Sequence, residues 1–149
     1  MFNKIKNVTK KVLHYIDAYK WCFKYKIPRF YIKNNELHVL GTVNLKDSNL
    51  EYLPFKFNSV SGDFIVPTTL KSLKNSPTVV GGDLIIKNNK YLKSLKKSTT
   101  EVRGNFECLR CPSIRSFTYA PSIVYGNIIY DSIESSSYKG VIKGKFIKV

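Results

Sequence analysis

Val80-Gly81-Gly82-Asp83-Leu84-Ile85-Ile86-Lys87-Asn88-Asn89-Lys90-Tyr91-Leu92-Lys93-Ser94-Leu95 contains one full unit of this chain. A valine is followed two residues later by glycine, two later again by an apolar residue, and then by two leucines three apart. The opening phrase recurs as Val39-Leu40-Gly41-Thr42-Val43, Val60-Ser61-Gly62-Asp63-Phe64, Val102-Arg103-Gly104-Asn105-Phe106 and Val124-Tyr125-Gly126-Asn127-Ile128. A degenerate copy, Ile142-Lys143-Gly144-Lys145-Phe146, stands near the end. Successive glycines advance by 21, 20, 22, 22 and 18 residues. A steady period near twenty marks a solenoid, in which each rung buries its apolar face against its neighbours.

Side chains on a strand alternate with a period of two, so Val60, Gly62, Phe64 and Val66 are expected on one inward face, as are Val80, Gly82, Leu84 and Ile86. A glycine on that face predicts a narrow place where the opposite wall comes close; a bulge with positive φ is the alternative. The pairs Leu50 and Leu53, Leu70 and Leu73, Leu92 and Leu95, and Ile114 and Phe117 suit a tight turn or a short 3₁₀ segment. Pro54, Pro77 and Pro121 then mark corners.

Outside the repeats, Val8, Val12, Tyr15, Ile16, Tyr19, Cys22 and Phe23 recur at three- and four-residue steps, which predicts an amphipathic helix over residues 8–25. Thr9 or Asn7 would cap its start and Pro28 would end it. Its apolar face is expected to cover the first rung. Arg29 to Leu40 reads as an extended hairpin turning at Asn34-Asn35. The expected fold is α+β, mainly β: a single domain, 1–149, with a basic capping helix (1–28), an extended lead-in (29–40) and a solenoid of about five to six rungs (39–149).

Phrases such as Asn49-Leu50-Glu51-Tyr52-Leu53-Pro54-Phe55-Lys56-Phe57 and Ser72-Leu73-Lys74-Asn75-Ser76-Pro77-Thr78-Val79-Val80-Gly81-Gly82-Asp83-Leu84 carry a resemblance. With Val-Ser-Gly-Asp-Phe, they make the stretch from about Tyr31 to Asp131 similar to short leucine-rich-repeat-like proteins of tailed bacteriophages and other large DNA viruses. Lys87-Asn88-Asn89-Lys90 keeps the polar turn of that group, while Pro67-Thr68-Thr69 and Leu109-Arg110-Cys111-Pro112 depart from it. The resemblance implies a viral origin and a scaffold, and it transfers no functional residue.

The 149 residues carry 25 Lys and Arg against 10 Asp and Glu, a net charge of +15. Residues 1–35 hold nine of the cations against Asp17, a net +8; residues 36–138 are near balance at +3, and residues 139–149 add four lysines. Basic ends attract polyanions, and lysine equally serves solubility. No stretch reaches the roughly 18 apolar residues of a membrane span, and no signal-peptide order opens the chain. A basic helix can also lie on a membrane, but an aromatic face and a rung in need of cover make membrane association the weaker reading. The expected setting is a host cytoplasm or a virion, with three reduced cysteines.

Cys108-x-x-Cys111 has metal or redox spacing, but a structural zinc needs four ligands, and Cys22, His14 and His38 lie far along the chain. Cys108 falls on the inward face, where it acts as a small hydrophobe. Gly81-Gly82 lacks the Lys-Ser/Thr of a phosphate loop. No nucleophile, base and acid assemble into a motif. The expectation is therefore no enzyme, no cofactor, no metal and no small-molecule substrate. Outward strand positions Ile65, Ile85, Ile129 and Ile147, interrupted by Glu107, predict an apolar ladder able to bind a viral or host protein. Lys71, Lys74, Lys87, Lys90, Lys93, Lys96 and Lys97, opposed by Asp83, predict a basic ridge. Lys71, Lys74, Lys93, Lys96 and Lys97 are its candidates for nonspecific nucleic-acid binding.

Overall fold

The computed structural model of the chain describes residues 2–149, with side chains at Val12 and from His14 onward. A helix, α1 (Phe2–Lys24), precedes a run of short strands. It begins earlier than the periodicity indicates, so Asn7 and Thr9 lie inside it rather than at its cap. The side chains of Asn7, Val8, Thr9 and Lys10 lie outside the described ones. Its end is set one step before Pro28. Lys26 adopts φ 52°, its N–H donates to Phe23 O at 3.1 Å, and the Ile27 N–H donates to Cys22 O at 2.9 Å. That pair of bonds is the Schellman arrangement, with buried Ile27 and Cys22 supplying its apolar contact.

The strands form two sheets. The first contains β1 (Phe30–Lys33), β2 (Glu36–Val39), β4 (Phe57–Val60), β6 (Val79–Val80), β8 (Glu101–Val102), β10 (Ile123–Val124) and β12 (Val141–Ile142) in that order. The hairpin β1/β2 is antiparallel and turns at Asn34 and Asn35, with φ of 53° and 62°; every later pair is parallel. The second sheet contains β3 (Val43–Asn44), β5 (Phe64–Ile65), β7 (Leu84–Lys87), β9 (Phe106–Leu109), β11 (Ile128–Tyr130) and β13 (Phe146–Lys148), parallel throughout. The chain is a β-solenoid of about five turns with one helix.

The Val-x-Gly-x-apolar phrase is not one strand, as alternation alone predicted. Val60 closes β4, residues 61–62 bend, and Phe64 opens β5 in the other sheet. The valine and the apolar residue both point inward, with Val60, Phe64, Val80, Leu84, Val102 and Phe106 all buried. Each glycine is the corner between the sheets. A β-carbon on Gly104 would lie 2.6 Å from the Gly82 carbonyl carbon, and one on Gly126 would lie 2.6 Å from that of Gly104. The close approach therefore runs along the solenoid axis, from the preceding rung, and not across the core. Positive φ at these corners is confined to Gly41, at 144°.

The third side of each rung is irregular. Leu53, Leu70, Leu73, Leu92, Leu95, Ile114 and Phe117 are buried there, and Leu50 is partly so. These pairs sit in extended and turn segments instead of 3₁₀ turns; the 3₁₀ segment is Ser135–Ser137. Aromatic rings join the layers, with Phe57 against Phe64 at 5.5 Å, Phe106 against Phe117 at 6.0 Å and Phe117 against Tyr130 at 5.5 Å. One face of α1 packs onto the first rungs. Ala18 and Cys22 are buried, and the Trp21 ring lies 5.8 Å from Phe55 and 6.0 Å from Phe57.

Candidate functional site: outward columns on a stacked frame

The corner fixes where every outward side chain stands. The Gly62 N–H donates to Gly41 O, and Gly82, Gly104, Gly126 and Gly144 each donate to the preceding glycine at 2.9–3.1 Å. The next residue adds a side-chain ladder. The Asp63 N–H donates to Thr42 Oγ1 at 3.1 Å, Asp83 N–H to Asp63 Oδ1 at 2.8 Å, and Asn105 N–H to Asp83 Oδ1 at 2.6 Å. Asn127 N–H donates to Asn105 Oδ1 at 2.8 Å, and Lys145 N–H to Asn127 Oδ1 at 2.9 Å. Thr, Asp, Asp, Asn and Asn occupy the position after glycine, and each brings an acceptor oxygen on a short side chain. The sequence reading treated this position as any residue, although its restricted chemistry was visible. Asp83 is consequently a rung-to-rung acceptor and does not oppose the lysine ridge.

On the outer face of the second sheet the register pairs Asn44 with Ile65, Ile65 with Ile85, Ile85 with Glu107, Glu107 with Ile129, and Ile129 with Ile147. The four isoleucines thus share one column, about 4.8 Å per rung. Ile65, Ile85 and Ile129 are half-buried; Ile147, on the last rung, is exposed. Glu107 forms an ion pair with Lys87 beside the column. A groove of about 420 Å³ lies here, lined in part by Ile65, Ile85, Lys46 and Lys87.

The basic ridge divides. Lys87 belongs to the second sheet with Glu107, whereas Lys71, Lys90, Lys93 and Lys96 surround a groove of about 480 Å³ on the third side with Ser72, Ser94 and Tyr91. The unit Lys71-Ser72, Lys93-Ser94, Arg115-Ser116 repeats between the buried apolar pairs, so Arg115 extends the strip by one rung. The sequence-based ridge omits Arg115, yet its place immediately before the Ser116-Phe117-Thr118 turn mirrors that of Lys71 before Ser72 and Lys93 before Ser94. Ser72 Oγ accepts the Lys74 N–H and Ser94 Oγ the Lys96 N–H, both at 3.1 Å, which fixes the turns that carry Lys74 and Lys96. Lys97 is exposed in the same turn, with φ 65°. The opposing acid is Glu51, 2.7 Å from Lys71 Nζ, and that hydrogen bond raises the Lys71 pKa.

His38 and Ser59 come together on the first sheet, which the sequence reading did not foresee. Nδ1 lies 3.1 Å from Oγ across neighbouring strands, and the imidazole stacks on Tyr31 at 4.7 Å. The pair sits on an open sheet face, and its strand N–H groups serve the ladder. Cys108 and Cys111 are buried, and hydrogen bonding to Cys111 together with burial pushes the Cys108 thiol up. Burial likewise pushes the Cys22 thiol up to about 12. Among the described residues no group of three His, Cys, Asp or Glu converges to hold a metal. The chain matches no protein-family model, no curated protein and no solved structure.

Proposed function

We propose that this is a non-enzymatic interaction scaffold that binds a viral or host protein across the outer face of its second sheet. The observation that carries this reading is the register that sets Ile65, Ile85, Ile129 and Ile147 in one column on the outer face, interrupted by Glu107. Repeat frames use such surfaces for binding. On the sequence resemblance alone, we infer a viral leucine-rich-repeat-like protein that works in a host cytoplasm or a virion. The contact of α1 with Phe55 and Phe57 supports its reading as an N-terminal cap, since an uncovered first rung would face water. Ile85→Asp combined with Ile129→Asp should abolish partner capture from lysate at unchanged melting temperature. Undiminished capture by that variant would sink the sheet-face reading.

A second reading has its own support in the column Lys71, Lys93 and Arg115, flanked by Lys74, Lys96 and Lys97. Cations repeating at about 4.8 Å can follow a phosphate backbone. With Tyr91 the single aromatic at the groove, such binding would be nonspecific. Fluorescence anisotropy with a single-stranded oligonucleotide should then show affinity that falls steeply with salt and is lost in the Lys93→Glu, Lys96→Glu, Lys97→Glu variant. No binding at low salt would exclude it.

A further inference from the structure

Packing leaves α1 with a second apolar face. Val12, Ile16, Tyr19 and Phe23 step by four, three and four residues, which places them in one stripe along the helix. They are 51%, 43%, 47% and 79% exposed. The contact with the solenoid is made mostly by other residues: Ala18 and Cys22 are buried, and Trp21 and Tyr25 pack partly against the core, while within the stripe the Tyr19 ring rests one edge against Phe30 at 5.0 Å. Docking therefore accounts for one side of the helix and leaves much of the stripe in water, Phe23 most of all. A single exposed apolar residue needs no explanation, but four in line on a charged helix do.

Charge selects what covers the stripe. Lys20, Lys24, Lys26 and Arg29 are exposed around its C-terminal half, against one exposed carboxylate, Asp17. With residues 1–35 at +8, a second copy would bring two strongly positive segments together. The complementary surface is anionic. It must also accept a convex ridge ending in Phe23, the most exposed large apolar residue described. A bilayer interface meets both demands: its headgroups pair with the lysines, and its acyl boundary takes Phe and Ile, with Tyr at headgroup depth. No described helix is long and apolar enough to cross a membrane, so the arrangement is a helix lying in the plane.

We propose that α1, docked on the solenoid, lays Val12, Ile16, Tyr19 and Phe23 onto an anionic phospholipid surface. Co-sedimentation with vesicles of equimolar phosphatidylglycerol and phosphatidylcholine tests it. Binding is expected to these vesicles and not to phosphatidylcholine alone, and to weaken with added salt. Ile16→Ser with Phe23→Ser should weaken it about tenfold or more by removing inserted apolar area. Lys20→Glu with Lys24→Glu should weaken it through charge alone, which supplies an independent variant. Both pairs are exposed, so melting temperatures should stay at the wild-type value. Trp21, the one tryptophan, packs on the docked side, and its emission should not change on binding. Absence of binding at low salt overturns the proposal, as does binding indifferent to the Ile16/Phe23 pair. A shift in Trp21 emission overturns the docked geometry. A wild-type dimer in sedimentation equilibrium that becomes monomeric in the Ile16→Ser, Phe23→Ser variant would make the stripe a self-interface and overturn the proposal equally.

Discussion

The glycine corner and the third side belong to the same rungs and follow opposite rules. At the corner, each rung repeats three contacts with its predecessor: the N–H before the glycine to the preceding valine carbonyl, glycine to glycine, and the following N–H to a Thr, Asp or Asn oxygen. The four-residue step from the valine, isoleucine in the last copy, to the apolar residue is constant in all six copies, while the whole rung varies from 18 to 22 residues. In the four rungs that carry an apolar pair, that variation falls between the second sheet and the first member of the pair, where the side chain that closes the turn differs from rung to rung. Asn89, wholly buried, donates to Pro67 O and Leu70 O and accepts the Tyr91 and Leu92 N–H groups. Cys111 takes the corresponding place three residues before Ile114 and offers the Ile86 and Leu109 carbonyls only long sulfur contacts of 3.6 and 3.3 Å. Regularity thus resides where backbone meets backbone, and freedom resides where side chains fill a turn.

The sharpest way to break this contrast is a β-carbon at the corner. Gly104→Val would place that carbon 2.6 Å from the Gly82 carbonyl carbon, and backbone held in the ladder cannot retreat. A loss of at least ~3 kcal/mol follows, enough to unfold much of a marginally stable domain. A two-residue Gly-Ser insertion between Lys96 and Lys97, by contrast, lengthens an exposed turn and should cost less than about 1 kcal/mol. Urea titrations of the two proteins compare them directly. Equal losses would mean that the third side is as constrained as the corner.

The period, the inward valines and the apolar pairs were legible because burial writes itself into spacing. The isoleucine column was legible for the same reason, since strand alternation does not depend on which sheet a strand joins. What alternation could not reveal was the break at Gly62, Gly82 and Gly104. Val60 and Phe64 point inward whether the chain runs straight or turns a corner between them. Lys87 was misplaced for a related reason: nearness in sequence to Lys90 conceals that β7 carries it to the second sheet, beside Glu107. The helix was expected from its periodicity, but a single apolar face was assumed. Two faces, around Ala18 and Cys22 and around Ile16 and Phe23, emerge only once the packed side is known.

A smaller perturbation probes the side-chain ladder without touching the backbone. Asn105→Ala removes the acceptor of the Asn127 N–H, a part-buried donor, and should cost about 1–2 kcal/mol. Asn105→Asp restores an acceptor, as Asp63 and Asp83 provide one two rungs and one rung earlier. It also places a third carboxylate in the column, so recovery should be incomplete and improve with salt. Ser94→Ala, which removes an acceptor from an exposed turn, should change stability by less than about 0.5 kcal/mol. A loss at Ser94 equal to that at Asn105 would erase the distinction between corner and third side.

A small, pH-dependent effect is expected at the opposite corner, where the second sheet ends. Asp131 Oδ2 accepts the Arg110 N–H from the preceding rung at 2.6 Å, and Arg110 holds φ 53° there. Burial pushes the Asp131 carboxyl up, but the Arg110 N–H and the Ser132 N–H and hydroxyl outweigh it and leave the pKa below the ordinary value. A carboxyl depressed in the folded state contributes stability above its unfolded pKa and loses it as pH falls through the folded value. The wild-type protein should therefore lose stability below about pH 4, and Asp131→Asn should flatten that part of the curve. Because solvent screens this site, the difference at neutral pH should stay within about 1 kcal/mol. Thermal melts of both proteins between neutral pH and the acid limb measure it. An unchanged acid slope in Asp131→Asn would show that the carboxylate adds nothing to a corner already closed by the backbone, as the glycine corner is.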